Sequence, residues 1–167
     1  CADYHGPEMI APPGLVEQAS AAELRRIRAL YAGECTLVDA WIGHLLDRLE
    51  ALGLWDDTAV VFTTDHGTNL GERGYLRKRP WTLESQQTRL PLIVRVPGTA
   101  ASAGNGGWRR RERVAALAHA PDLAPTLLEL LGEPVPADMT GTSLVPLLRG
   151  DAEQPHRQVL SAYGPYA

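Results

Sequence analysis

The stretch Thr58-Ala-Val-Val-Phe-Thr-Thr64 constrains this chain most, because its β-branched and aromatic residues show no alternation of polarity. Such a run is the pattern of a strand inside a sheet, covered on both faces. It stops at Asp65-His66-Gly67, where two side chains able to bind a metal stand side by side before a turn residue. In open α/β sheets ligands collect beyond the carboxyl ends of the strands, so this pair is placed for chemistry rather than packing.

The rest of the chain gives that strand a setting. Residues 1–19, rich in Pro, Gly and Ala, read as an irregular lead-in. Ser20-Ala-Ala-Glu23 is a capping-box pattern, and Leu24, Ile27, Tyr31, Cys35, Val38, Trp41, Leu45, Leu49 and Leu52 follow at helical spacing, predicting a long amphipathic helix that ends near Gly53. Cys35, on the apolar side of that helix, reads as a small buried residue, and Asp39 and His44 as polar residues tied to a neighbour or solvent. Beyond the strand, residues 68–79 read as a polar, Gly-punctuated loop, and Leu90-Pro-Leu-Ile-Val-Arg-Val96 as a second buried strand closed by Pro97-Gly98. Residues 99–113 form a flexible excursion by composition, with a basic cluster at Arg109-Arg-Arg111 that reads as solvated. A short strand is expected at Val114–Ala118, a helix from Pro121-Asp122 to Leu131-Gly132, a turn into a helical piece over Gly141–Leu148, and a terminal strand over Gln158–Tyr163. The order predicts an α/β chain with a mixed central sheet flanked by helices.

Bulk properties exclude several classes. With 167 residues, 44% hydrophobic and 22% charged, the chain has the composition of a globular domain. A net charge of -4 argues against nucleic acid as a partner. No apolar run reaches the length of a membrane span, and no signal-peptide pattern is present. The sequence starts at Cys1 rather than Met, so it is treated as incomplete, with periplasmic, secreted and cytoplasmic locations all open. Cys1 and Cys35 fit neither a disulfide framework nor a zinc or redox motif.

Asp65 offers a hard oxygen ligand and His66 an imidazole, and a loop leaving a strand can turn both toward one point. Arg73, Arg77, Lys78 and Arg79 then gather positive charge within a few residues of an otherwise acidic chain, which favours an anion. A metal beside a cationic loop suits an ester of sulfate or phosphate.

The motifs Tyr31-Ala-Gly-Glu-Cys-Thr-Leu-Val-Asp39, Thr63-Thr-Asp-His-Gly67, Gly71-Glu-Arg-Gly74, Lys78 and Thr88-Arg-Leu-Pro-Leu-Ile-Val-Arg-Val-Pro-Gly98, in this order, resemble the later part of a sulfatase, of the alkaline-phosphatase-like superfamily. The resemblance continues through Asp122–Gly132 and Gly141–Gly150 and covers roughly residues 20–160. It implies part of a three-layer α/β/α fold with a mixed central sheet, residues 1–167 being the C-terminal portion of one catalytic domain and 20–163 the matching region. It implies that Asp65 and His66 are divalent-metal ligands, with Ca2+ expected and Mn2+ or Zn2+ as the alternative, and that Lys78 holds a sulfate oxygen. The family nucleophile is a formylglycine made in a Cys/Ser-x-Pro/Ala-x-Arg motif. That motif is absent here, so the nucleophile and the remaining ligands are expected upstream and the chain alone is expected to be inactive.

Two departures stand out: Arg73 where the family commonly has His, and Glu84-Ser85-Gln86 where it has Tyr-Glu-Glu. Arg89 matches and reads as a structural ion-pair former, while His5, His119 and His156 read as exposed loop residues. Three functions follow. The first is metal-dependent hydrolysis of a sulfate ester of a small molecule or sugar, the second a phosphodiester or phosphonate monoester hydrolase of the same superfamily, and the third a non-catalytic homologue used for binding.

Overall fold

The computed structural model describes residues 14–15, 19–78, 83–97, 108, 112–152 and 154–160. The chain divides into two compact units, one holding residues 1–45, 66–90 and 161–167 and the other residues 46–65 and 91–160. One long helix, α1 (Ala21–Ala51), contributes to both.

In the first unit α1 begins at the capping box the sequence predicts. The Ser20 backbone N–H donates to Glu23 Oε2 at 2.7 Å and the Glu23 N–H to Ser20 Oγ at 3.2 Å, so two helix-end donors are satisfied reciprocally. These bonds to Ser20 hold the Glu23 carboxyl below its ordinary range. The unit also contains a three-stranded antiparallel sheet of β1 (Gly14–Leu15), β4 (Tyr75–Arg77) and β3 (Asn69–Leu70), with β4 in the middle. Part of the expected lead-in and part of the expected loop are therefore strands. Segments of two or three residues are too short to show a period, and only pairing defines them. The β3–β4 turn runs through Gly71 (φ 102°), Arg73 (φ 49°) and Gly74 (φ 74°), a left-handed path that glycine favours. It sits on α1, where the Arg28 Nε donates to the Leu70 carbonyl at 2.9 Å and Leu24 closes over Gly71. A one-turn helix, α2 (Ser85–Thr88), completes the described part of this unit.

In the second unit β2 (Val60–Thr63) pairs antiparallel with β5 (Leu92–Arg95), placing Val61 opposite Val94 and Phe62 opposite Ile93. Both strands lie within the predicted runs. Among the described residues β5 is the only partner of β2, and Phe62 is exposed, so the expected cover on both faces is not found there. The Arg95 guanidinium lies 3.7 Å from the Trp55 ring centroid, and its Nη1 donates to the carbonyls of Trp55 (2.8 Å) and Thr58 (2.7 Å). This fastens the start of β2. At its other end Thr63 Oγ1 donates to the Pro91 carbonyl at 2.9 Å.

The remainder of this unit packs α3 (Leu123–Leu131), capped by left-handed Gly132, with α4 (Val145–Arg149), capped by Gly150. Among the described residues Pro125, Leu144, Val145 and Leu147 are its buried apolar side chains. Val114–Ala118 is not a strand, since its alanines bring little β preference and no ladder partner. Residues 158–160 are not strand either, and the rest of that expected strand lies outside the described residues, as do His5, Arg79 and almost all of the 99–113 excursion.

None of the α1 residues is buried. Cys35, expected inside, is exposed, and Trp41 is 67% exposed. The helix has its apolar stripe, but among the described residues only Leu24, Ile27 and Leu49 of it are half-buried, and the rest is exposed. Asp39 and His44 are exposed on the same helix, with His44 edge-on to Trp41, as their polar reading requires.

Candidate metal and anion site

Asp65 stands in a bend two residues beyond the end of β2, with Thr64 between them. It is exposed, and Thr64 Oγ1 lies 3.4 Å from its Oδ1. The strand thus delivers a carboxylate to solvent at its carboxyl end, where the sequence places it.

His66 is half-buried, and its Nδ1 lies 2.8 Å from the Gly67 carbonyl oxygen. A carbonyl only accepts, so Nδ1 carries the proton and Nε2 the lone pair in the neutral ring. That is the arrangement of a metal-ligating histidine, whose second nitrogen is oriented by a backbone carbonyl. A carboxylate oxygen and an imidazole nitrogen fit a divalent ion, although among the described residues no cluster of three or more His, Cys, Asp and Glu is placed to hold one.

Gly67 is required by a close approach rather than by a turn. A Cβ there would stand 1.8 Å from the Gln86 carbonyl oxygen, and the Gly67 N–H donates to the Gln87 carbonyl at 3.0 Å. The segment around α2 is therefore pressed onto the backbone that carries His66. Glu84, at the start of α2, is nearly buried, and Arg73 Nη1 lies 3.6 Å from its Oε1. Arg73, at the position where the sequence departs from the family pattern, thus ties the hairpin turn to α2. Arg89, read as a structural ion-pair former, ends α2 exposed.

Lys78 is exposed immediately after β4. The register pairs Asn69 with Arg77, so His66 leaves one strand and Lys78 the other at the same open end of the β3–β4 hairpin. Asn69 is 0% exposed, and its Nδ2 donates to the Arg77 carbonyl at 3.0 Å. Sequence reasoning missed Asn69, since a single Asn in a polar stretch carries no signal of burial.

A second carboxylate, also missed, organises the other unit. Asp122 is 0% exposed and accepts from the His119 N–H (2.7 Å), the Thr142 N–H (2.8 Å) and His156 Nε2 (2.7 Å). Burial pushes its carboxyl up, but the backbone donors of Thr142 and His119 and the His156 imidazole outweigh this, and the net direction is down. His156, expected to be exposed, is therefore mostly buried as a structural partner of Asp122, and His119 is half-buried. With three donors already on Asp122, this cluster ties chain segments together.

The chain matches the Sulfatase family over residues 5–133. It is 34% identical over 145 residues to the multifunctional alkaline phosphatase superfamily protein PehA of Trinickia caryophylli, covering 87% of this chain and 26% of that protein. It is 38% identical over 136 residues to an N-acetylglucosamine-6-O-sulfatase of Bacteroides thetaiotaomicron, covering 81% of this chain and 23% of that one. Among solved structures, the phosphonate monoester hydrolase of Silicibacter pomeroyi superposes with a TM-score of 0.68 at 34% identity, over 81% of this chain and 25% of that one. The chain thus spans about a quarter of the length of these relatives, and the fold it shares with them is the alkaline-phosphatase-like α/β fold, present here in part. The match to the family over residues 5–133, with relatives at 34% and 38% identity over most of the sequence, places this chain in the sulfatase family.

Proposed function

We propose that this chain is the C-terminal part of the catalytic domain of a metal-dependent sulfuric ester hydrolase. In this reading Asp65 and His66 hold a divalent ion, Ca2+ in preference to Mn2+ or Zn2+, and Lys78 holds a sulfate oxygen. The observation that carries it is the orientation of His66, whose Nδ1–H is committed to the Gly67 carbonyl at the end of a strand in a sulfatase-family chain. The substrate class is a sulfate ester, and the N-acetylglucosamine-6-O-sulfatase among the relatives favours a sulfated sugar.

Each residue has a defined task. As the sulfuryl group leaves its ester oxygen, charge builds on that oxygen and on the non-bridging ones. Lys78 donates to a non-bridging oxygen, a stabilisation that grows as the charge develops. The packed α2 segment fixes the backbone at Gly67, and the Gly67 carbonyl orients the His66 ring, so that little reorganisation accompanies the reaction. A divalent ion held by Asp65 and His66 would supply Lewis-acid polarisation of the ester oxygens. The nucleophile, a formylglycine by family resemblance, belongs to sequence preceding this chain.

A second reading, hydrolysis of phosphodiesters or phosphonate monoesters, is favoured by two observations. His66 stands where an Asn would suit a harder site, and the likeness extends to a phosphonate monoester hydrolase. Metal analysis of the full-length enzyme, with sulfate-ester and phosphodiester turnover measured side by side, separates the two. Sulfate-ester turnover with bound Ca2+ is expected, whereas exclusive phosphodiester cleavage overturns the first reading.

A further inference from the structure

We propose that Asn69 is a positioning residue for Lys78, acting through the backbone of Arg77; this rests on the role proposed for Lys78. Lysine is a poor choice for preorganised catalysis unless its root is fixed, since four methylenes separate the ammonium from the backbone. Its aim is therefore set by the peptide that precedes it. Here that peptide begins at Arg77, which adopts φ 67°, a left-handed conformation unfavourable for a residue with a Cβ. Something must hold it there.

The buried Asn69 amide supplies that hold. Only its Nδ2 can donate to the Arg77 carbonyl, so the 3.0 Å contact fixes both the amide orientation and the plane of the Arg77–Lys78 peptide. Asn69 itself cannot drift. It lies in β3 opposite Arg77, the neighbouring Leu70 carbonyl is held by Arg28 of α1, and Leu76 on β4 is buried.

A second observation separates this from a purely structural role. Asn69 Oδ1 is buried and has no hydrogen-bond partner among the described residues. An amide kept for stability alone would be expected to satisfy both ends, because a buried acceptor without a partner is unfavourable. Among the described residues Glu84 Oε2 and Gln87 Nε2 share this state, and at Asn69 the fold accepts the cost at a side chain that orients the peptide before Lys78.

The test uses the full-length enzyme, assayed at alkaline pH, with Asn69→Ala, the shape-matched Asn69→Asp, which when ionised cannot donate to a carbonyl, Lys78→Ala, and the Asn69→Ala/Lys78→Ala double variant. Turnover of a sulfate ester, inhibition by inorganic sulfate and thermal midpoint are measured for each. Asn69→Ala and Asn69→Asp are expected to lower kcat/KM about 10- to 100-fold and to weaken sulfate inhibition about tenfold, in the range of a displaced electrostatic donor. In the Lys78→Ala background the same Asn69 change is expected to cost less than about threefold, because the group it positions is gone. If Asn69→Ala does not fold, Asn69→Asp carries the first comparison and an Asn69→Asp/Lys78→Ala variant the second. Equal losses in both backgrounds, or a lowered thermal midpoint with unchanged kcat/KM and sulfate inhibition, would make Asn69 merely structural and overturn the proposal. Wild-type turnover in Lys78→Ala would instead overturn the site reading, and the positioning role with it.

Discussion

Two aspartates, Asp65 and Asp122, show opposite uses of one side chain. Asp122 is fully buried, and its carboxylate is committed to the His119 and Thr142 amides and the His156 ring, so it binds three stretches of chain together. Asp65 is exposed where β2 ends. A metal ligand must remain reachable from outside, whereas a buried carboxylate is tolerable only when its lone pairs are used. Exposure at a strand end and saturation in the interior therefore separate a candidate ligand from a fold-holding group.

The sharpest way to break this contrast is to remove each carboxylate from the full-length enzyme and read activity and stability together. Under the proposed metal role, Asp65→Ala is expected to abolish metal-dependent turnover, a loss of about 10³-fold or more, since an ion held there would contribute several kcal/mol. The thermal midpoint of the metal-free variant should match that of the metal-free parent. Turnover at the wild-type rate would remove Asp65 from the site.

Asp122→Ala should do the reverse. It leaves buried donors without an acceptor and is expected to cost about 3 kcal/mol of stability, read from the urea midpoint. The turnover of the fraction that stays folded should change little.

Gly67→Ala should lie between the two. The added Cβ meets a backbone carbonyl that cannot swing aside, so a loss of about 1–3 kcal/mol is expected, together with reduced turnover because His66 is the preceding residue. An alanine variant with unchanged stability and turnover would show that the α2 segment does not brace the site.

The smallest effect is the pH dependence of Asp122. Its folded-state carboxyl is depressed, so its contribution to stability is complete above the unfolded value of about 4 and is lost as pH falls through the folded value. The stability gap between wild type and Asp122→Asn should therefore narrow as pH falls below about 4. A gap that stays constant through that range would show that Asp122 does not titrate with folding.

How much could be read beforehand follows from the range of each interaction. The α1 capping box, the β2 and β5 runs and the Gly132 helix stop are local, and the structure reproduces them. The positions of Asp65 and Lys78 at the ends of strands follow from local patterns of the same kind. Their proposed roles came from ordered motifs, not from spacing alone.

The sequence by itself determined the long helix and its cap, the β2 and β5 runs, the Gly132 helix stop, and the family to which their order belongs; the short strands β1, β3 and β4 escaped it. Tertiary structure alone decided that Asn69 reaches the Arg77 carbonyl, that Gln86 presses on Gly67, that His156 meets Asp122 across 34 residues, and that Cys35 faces outward. Helix caps and apolar runs depend on neighbours a few residues away. Burial and hydrogen-bond partnership depend on which distant segment arrives, and no local pattern encodes that.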